Sequence, residues 1–505
     1  MPVATILAAG VGMGSVGDFL LRAPGGPGLN LTLLFAGLAA SLVMVSAQGG
    51  PRISPEASVL MAVGVLSGAG LLWRGSEFLR VLAFLAAAAA LGLASLHAGQ
   101  AWLRRARVAD LFEAIVASGA HAAFGSLRLF RREGWDVVGS EDACATVQKV
   151  ARSALVGALL AAAPLLVFGA LFISADRVFA GMVEDFVRID LQAFASHLTV
   201  AAILSWLACG YLAGFSSGTR LDRLREIGPL RPSLKIAEVA TALGLVDLLF
   251  LGFVVVQFRY LFGGTEWVEV TPDVTYAAYA REGFFQLVTA TGLGLPWLLA
   301  ADGLLGEGEG SGRWVFRTFA GAQLLLLLAI VASAVQRMRA YLEAYGLTES
   351  RFVAMAVLLW LALLVLWFGA TVLRGRRSPF AFGALASAYG LVALLHIANP
   401  AAYAAQGHLD RAHEPTPAVS GSEARVDAQY LASLGSDAAP ILVHRLDELD
   451  GAGRCQVARS LLSRWGPERE WDWRSWNAAD RVARQMVGAE VARLRTMAGI
   501  GETCK

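Results

Sequence analysis

Runs of about twenty mostly apolar residues recur along the chain between positions 3 and 398. A helix of about twenty residues is long enough to cross the hydrocarbon core of a bilayer. Because that core has no water to satisfy backbone groups, each run predicts a membrane-spanning helix packed in a bundle. The pattern predicts an all-α, polytopic transmembrane bundle of about eleven spans, near 3–21, 29–47, 55–73, 76–98, 152–174, 197–216, 236–262, 284–301, 314–335, 352–373 and 379–398.

The first run has the weakest pattern of the set. Gly10, Gly12, Gly14 and Gly17 dilute its apolar character, and Asp18 interrupts its end. No basic residue precedes the run, as a secretory signal peptide would require. We therefore predict that it is retained as a span.

Composition agrees with a membrane protein. Hydrophobic residues make up 56% of the chain, charged residues 16%, and the mean hydropathy is +0.57. Soluble proteins average about 25% charged residues. The net charge of +2 argues against a nucleic-acid partner, which needs a concentrated positive surface. The bilayer is the predicted partner, and no protein partner is indicated.

The character of the chain changes after residue 398, where apolar runs stop and charged residues and prolines appear. Apolar residues at helical spacing then resume, which predicts a small helical C-terminal domain. The predicted organisation is N-terminal transmembrane helices (1–98), a basic amphipathic segment (99–151), a transmembrane core (152–398), a linker (399–424) and the soluble domain (425–505).

Lys and Arg collect in residues 99–151 and 217–235, and loops rich in these residues are typically cytoplasmic. The cluster Arg374–Arg377 falls on the same side if the spans are counted correctly. Arg337 and Arg339 lie on the opposite side and cut against this orientation. Within the first loop, residues 103–132 are amphipathic. They are expected either to contact anionic lipids along the inner surface or to form an ordinary cytoplasmic hairpin.

The C-terminal region carries four tryptophans among arginines. Such residues suit the headgroup layer, but they also suit a domain core or a contact with the bundle, and we favour packing. The same region holds Cys455 and Cys504, for which we predict free thiols, with a disulfide as the alternative outside the cytoplasm. The four tryptophans are Trp465, Trp471, Trp473 and Trp476.

Several motifs together resemble an uncharacterised family of bacterial multi-pass membrane proteins. This is the domain-of-unknown-function family four-one-seven-three, related to the four-one-five-three group. The resemblance implies a bacterial cytoplasmic membrane protein and carries no activity, substrate or cofactor. The Asn-Pro signature departs from the family pattern at Ala401 and Ala402, which puts any role of the missing polar side chains in doubt. The motifs are Val256–Gly264, Tyr276–Phe285, Tyr341–Glu349, Leu373–Arg377 and Asn399–Pro400.

In the predicted topology these motifs, apart from the Arg-rich one, meet at the extracytoplasmic face. Their aromatic and charged side chains form a candidate ligand site there. The alternative is structural, with helix caps, interfacial tyrosines and salt bridges between loops. The candidate residues are Tyr260, Tyr279, Arg281, Tyr341, Glu343, Tyr345, Glu349 and Asn399.

Asp247 is the one deep carboxylate that needs an explanation, because it lies near the middle of the span 236–262. A carboxylate there costs about 2.5–3.5 kcal/mol on insertion scales. It should face the bundle interior, either on an ion path or hydrogen-bonded within the packing.

The sequence contains few candidate catalytic or metal-binding motifs. His408, Asp410 and His413 flank a linker without a nearby fourth ligand, so no metal or other cofactor is predicted. We favour a sensory, regulatory or scaffolding role without enzymatic activity. The alternatives are a permease built around Asp247 and a lipid-modifying or other envelope enzyme that would need Arg281, Glu343 or Glu349.

Overall fold

The computed structural model describes residues 3–96, 103–130, 191–216, 235–262, 284–305, 310–411 and 427–499. These residues form helices joined by short turns. Ten of the helices are long and apolar enough to cross a membrane. The prediction of an all-α, polytopic bundle is therefore confirmed.

Within the described ranges the bundle comprises ten spans and two shorter helices that follow the fourth of them. Observed span ends agree closely with those predicted from hydropathy. In chain order the helices are α1 (Val3–Leu21), α2 (Leu29–Ala47), α3 (Pro55–Trp73), α4 (Glu77–Leu96), the shorter α5 (Val108–Phe124) and α6 (Ser126–Phe130), α7 (Leu191–Ser216), α8 (Ile236–Phe262), α9 (Phe284–Leu304), α10 (Gly310–Tyr345), α11 (Glu349–Thr371) and α12 (Arg377–Ala398).

The largest departure from the predicted spans is α10, which has 36 residues. At 1.5 Å per residue it is about 54 Å long, well beyond the bilayer core of about 30 Å. Arg337 and Arg339 therefore belong to the projecting end of a helix and not to a loop. The predicted span 152–174 lies outside the described residues. Helices α4 and α7, which precede and follow that range in the sequence, run in the same direction.

The glycines of α1 are a packing surface, which explains why a diluted apolar run still forms a span. A Cβ on Gly10 would lie 2.2 Å from Cys209 Sγ, and one on Gly14 would lie 1.9 Å from Ser205 Oγ. Small residues allow transmembrane helices to approach this closely. Asp18 at the end of α1 is paired in turn, with its two oxygens 2.6 Å from Arg22 Nε and 2.5 Å from His197 Nδ1.

Contacts between loops sort the helix ends into two faces. At one end Arg105 O accepts a hydrogen bond from Ser378, and Asp302 binds Arg377. We call this end the basic face, and it carries Arg104, Arg105, Arg107, Arg313, Arg374, Arg376 and Arg377. At the opposite end, which we call the junction face, α1, α2, α3, α4 and α11 contact the C-terminal helices or the turns between them.

Helices α5 and α6 pack against α4 and α7 close to the basic face. Ser95 and Ser118 are within hydrogen-bonding distance, and Ser126 donates to Trp206 O. The outer side of these helices exposes Phe112, Val116, Phe124 and Leu127, whereas Leu111 and Ala114 are buried. This arrangement has an apolar side facing away from the bundle.

Six helices follow the last span. They are α13 (Pro400–Arg411), α14 (Ala428–Ser433), α15 (Ala439–His444), α16 (Gly451–Trp465), α17 (Ala478–Ala489) and α18 (Val491–Met497). Asp427, Asp450 and Asn477 accept backbone hydrogen bonds at the starts of α14, α16 and α17, as N-cap residues do. The core of this unit contains Leu431, Leu442, Leu446, Val457 and Leu461.

Two of the tryptophans take part in packing, and a third is exposed. Trp465 is buried in the C-terminal core, Trp473 packs 6.3 Å from Phe19 at the end of α1, and Trp471 is exposed. Cys455 is disulfide-bonded, so the prediction of a free thiol is wrong at this position. Cys504 lies outside the described residues.

Candidate functional site

The carboxylate of Asp437 joins the C-terminal helices to the bundle at the start of α4. Asp437 Oδ2 accepts hydrogen bonds from the backbone nitrogens of Gly75 at 2.6 Å and Ser76 at 2.9 Å. Its other oxygen lies 3.5 Å from Arg74 Nη1. The first amides of a helix have no partner within the helix and carry partial positive charge, so a carboxylate is favoured there. Asp437 therefore acts as a cap supplied by a distant part of the chain.

Local sequence explains why Asp437 reaches this position. Gly435 and Ser436 form the turn before α15, and Pro440 occupies its first turn, where a missing N–H costs nothing. A Cβ on Gly75 would lie 1.8 Å from Ser436 Oγ, so the close approach needs glycine. The Asp437 side chain is 1% exposed. This burial raises the pKa of Asp437, while Arg74 and the two amides act in the opposite direction.

A second set of contacts closes the end of α3. Asn477 Nδ2 donates to Leu71 O at 2.7 Å and to Arg74 O at 2.9 Å, which satisfies carbonyls that a helix end leaves unpaired. Arg80 in α4 forms an ion pair with Asp480 in α17 at 3.1 Å. The same C-terminal helix thus holds both α3 and α4.

A third set joins α11 to α13 and α14. The backbone nitrogen of Glu349 donates to Tyr430 Oη at 2.8 Å, and the Glu349 carboxylate accepts from Ser76 Oγ. The His408 ring packs 4.9 Å from the Tyr430 ring. Burial lowers the pKa of His408, with Arg351 and Arg411 adding to the effect.

These contacts border an open cleft of about 810 Å³ between the bundle and the C-terminal unit, which we call the junction cavity. That volume lies in the range of about 300–1,000 Å³ typical of small-molecule sites. Charged side chains from both parts of the protein line it. They are Glu77, Arg80 and Glu349 from the bundle, and Arg464, Arg469, Glu470, Asp480 and Arg484 from the C-terminal unit.

Several residues predicted as a ligand site do cluster at the junction face, but they contact one another. The Tyr341 and Tyr345 rings lie 5.0 Å apart, and the Arg351 guanidinium sits 4.2 Å from the Tyr341 ring centroid. Arg351 also donates to Gly346 O, while Glu343 is exposed and offers its carbonyl to Arg411. Contacts of this kind are those of the structural alternative, and the ligand site stays a prediction.

The remaining candidates are separate from that cluster. Asn399 adopts a left-handed conformation between α12 and α13, and its Oδ1 accepts from Ala402 N, so it is a turn residue. Glu349 alone among the candidates lines the junction cavity. Tyr279, Arg281 and the side chain of Tyr260 lie outside the described residues.

Asp247 is buried between helices and is 8% exposed. Among the residues that the structure describes, neither of its carboxylate oxygens has a hydrogen-bond partner. Gln323 on α10 is 0% exposed, and its amide atoms also lack partners within that part of the chain. Gly244, one turn before Asp247, approaches Phe319, one turn before Gln323, so the two polar residues lie at a similar depth on α8 and α10.

The histidines near the linker do not form a metal centre in the part of the chain that the structure describes. His408 packs on Tyr430, whereas Asp410 pairs with Arg445 at 2.6 Å. His413 lies outside the described residues. Among described residues no group of three or more His, Cys, Asp or Glu is placed to hold a metal ion.

Sequence reasoning missed most of the residues at the junction. Arg80 lies near a span end, where a side chain can reach the interface, and that position gives no sign of its ion pair with Asp480. Asp437 and Asn477 lie in the C-terminal region, where the sequence predicts helices but does not indicate which of these residues contact the bundle.

Comparison with known proteins yields one family. A family model described as a domain of unknown function (DUF4153) matches residues 60–444, well over half of the chain. The match spans α3 to α15 and includes Gly75, Glu349 and Asp437. No curated protein and no solved structure matches the chain. The chain belongs to this family of unknown function, the group named above as related in the resemblance.

Proposed function

We propose that this protein is a regulatory component of a bacterial cytoplasmic membrane, in which the C-terminal helices dock reversibly on the bundle. The observation that carries the proposal is the junction cavity, whose walls come from both parts. A ligand that fits only between docked parts stabilises the docked state by its differential affinity. The cavity thereby links occupancy at the junction face to the position of the C-terminal unit.

The contacts at the junction favour a reversible dock over a permanent one. Hydrogen bonds and ion pairs join the two parts, including those of Asp437, Asn477 and Arg80. Polar contacts between parts of one chain are typical of interfaces that move. A fixed scaffold would more often bury a continuous apolar surface there.

Two features support an orientation with the basic face in the cytoplasm. Arg104, Arg105 and Arg107 are exposed at the basic face beside the apolar outer side of α5. This pattern suits contact with anionic lipids of a cytoplasmic leaflet. The disulfide at Cys455 suits a C-terminal unit outside the reducing cytosol.

Hydrogen exchange of the full chain in lipid nanodiscs tests reversible docking. Asp480→Asn keeps the shape of the side chain and removes the charge that pairs with Arg80 across the junction. We expect this substitution to speed exchange at residues 74–80 and 430–437 while leaving Leu442 and Leu461 unchanged. Asp447→Asn is the control, because Asp447 pairs with Arg493 within the C-terminal unit. Junction amides that already exchange as slowly as Leu442 in the unaltered protein would show a fixed scaffold and refute the proposal.

A permease is the second candidate, and one observation favours it. Asp247 and Gln323 are buried at a similar depth without hydrogen-bond partners in the described region. Unsatisfied polar groups within a bilayer often mark an ion or solute path. Flux measurements on Asp247 variants, given in the Discussion, decide between the two candidates.

A further inference from the structure

We infer that the junction cavity binds the headgroup of a phospholipid that carries both a phosphate and a primary ammonium, as phosphatidylethanolamine does. This inference rests on the proposed function, because it names the ligand class of the same cavity. Three observations carry it, and they concern the charges of the walls, an unsatisfied guanidinium and an apolar stripe along α4.

The two walls of the cavity differ in the sign of the charged side chains that lack an ion-pair partner among the described residues. Arg80 and Asp480 pair across it and cancel. On the bundle side Glu77 and Glu349 remain, and no Lys or Arg lies within ion-pair distance of either among the residues described. The bundle wall is therefore acidic at the level where α4 and α11 begin.

The C-terminal wall is mainly basic. Arg464, Arg469 and Arg484 line it, and none of them forms an ion pair within the described ranges. Arg464 is held by Leu434 O and by the Trp465 ring, so its position is fixed. Burial lowers the pKa of Arg464. Glu470 is the one carboxylate on this wall without an ion-pair partner.

Arg484 adds an unsatisfied donor. Its Nε is buried and has no hydrogen-bond partner in the described structure, and the hydroxyl of Ser436 on the same cavity is likewise unpartnered. A buried guanidinium donor without an acceptor is costly, and a phosphate oxygen is a geometrically suited acceptor. The basic wall is thus suited to a phosphate group.

An apolar stripe leads from the cavity along the outside of α4. Phe78 and Val81 line the cavity and are 46% and 56% exposed. Leu85, one turn further along the same side, is 57% exposed. Because α4 enters the membrane at Glu77, this side faces lipid. A bound headgroup can therefore keep its acyl chains in the bilayer, beside Phe78, Val81 and Leu85.

Together these features discriminate among lipids. An acidic wall opposite a basic wall suits a zwitterion better than a purely anionic headgroup such as phosphatidylglycerol. Glu77 and Glu349 can accept hydrogen bonds from a primary ammonium, which the quaternary ammonium of phosphatidylcholine cannot donate.

Native mass spectrometry of the full chain in detergent tests the inference. Dioleoyl phosphatidylethanolamine, phosphatidylglycerol and phosphatidylcholine are added in equal amounts. We expect about tenfold greater retention of phosphatidylethanolamine than of phosphatidylcholine, as the loss of one charge-assisted hydrogen bond implies. Glu77→Gln should abolish this preference, and Arg484→Gln should reduce retention of phosphatidylethanolamine and phosphatidylglycerol alike.

Arg493→Gln and Glu490→Gln are matched controls, because both side chains lie on the C-terminal unit away from the cavity. Comparing the lipids on the unaltered protein needs no variant to fold. Equal retention of the three lipids, preference for phosphatidylglycerol, or no retained lipid would each overturn the inference. If hydrogen exchange shows that the junction opens but no lipid is retained, only the ligand assignment is refuted. If phosphatidylethanolamine is retained but hydrogen exchange shows that the junction never opens, the proposed function is refuted.

Discussion

Asp437 Oδ2 lies 2.6 Å from the backbone nitrogen of Gly75, although 362 positions separate the two residues along the chain. The contact places a buried carboxylate at the amide-rich start of α4 and draws α15 onto the end of the bundle. A helix cap normally comes from a residue adjacent in sequence. Here the cap joins the C-terminal helices to the bundle, so its loss should weaken docking more than it weakens either part.

Asp437→Ala should lower the free energy of opening the junction by about 1–3 kcal/mol, because two buried amides lose their acceptor. The measurement is hydrogen exchange at Gly75 and Ser76 in nanodiscs. Asp447→Ala is the control, since Asp447 pairs with Arg493 on the surface and is 61% exposed. Equal effects of the two substitutions would contradict the role assigned to Asp437.

Acidification should weaken docking through His408. Its pKa is lowered in the folded protein, so its contribution is fully present above its ordinary pKa of 6.5 and is lost as pH falls through the lowered value. Arg351, Arg411, Asp427 and Tyr430 surround the ring. We expect exchange near Tyr430 to accelerate as pH falls below about 6.5 in the unaltered protein.

His408→Phe keeps a ring against Tyr430 and cannot bind a proton, so the difference in exchange between this variant and the unaltered protein isolates His408 from other titrating groups such as Asp437. His444→Phe is the control, because His444 is exposed. An unchanged pH profile in His408→Phe would exclude the imidazole as the titrating group.

Two alanine substitutions in α1 should have opposite effects. A Cβ at Gly14 would lie 1.9 Å from Ser205 Oγ and 2.5 Å from Ala201 O, so Gly14→Ala should destabilise the bundle by about 1–3 kcal/mol. A Cβ at Gly12 meets nothing within 4 Å, so Gly12→Ala should be neutral or slightly stabilising. Thermal unfolding in detergent measures both, and similar melting temperatures for the two variants would rule out close packing of α1 on α7.

Asp247→Leu should stabilise the bundle, because a buried carboxylate costs about 2.5–3.5 kcal/mol on insertion scales and no hydrogen bond from the described residues offsets the cost. If the protein is regulatory, proteoliposome permeability to protons and small cations should not change. Gln323→Leu is the parallel substitution at a similar depth. Flux that the unaltered protein supports and Asp247→Leu abolishes would establish the permease instead.

The spans were predictable because each depends on a local property of the sequence. A run such as 29–47 is apolar enough to identify a helix without knowledge of its neighbours, and α2 begins and ends at those residues. The glycines of α1 lowered its apolar signal, although they serve packing against α7. That role depends on a partner nearly two hundred positions away, which hydropathy cannot reveal.

The site was less predictable, because its contacts join parts that are distant in sequence. Grouping motifs by membrane face placed Tyr341, Tyr345 and Glu349 at the same end of the bundle. It did not show that the Arg351 guanidinium packs on the Tyr341 ring, or that the Glu349 carboxylate accepts a hydrogen bond from Ser76. Asp437 and Asn477 bind backbone atoms, which leave no trace in the side-chain pattern.

The cap on α4 also has a consequence for biosynthesis. Its acceptor is synthesised 362 positions after Gly75, which with Ser76 immediately precedes the fourth span. The start of α4 must therefore wait, with these amides hydrated or bound by lipid, until Asp437 has left the ribosome. A chain truncated before Asp437 would retain its spans and lack this final closure, so proteases that survey the membrane surface would have a physical basis for distinguishing finished molecules from incomplete ones.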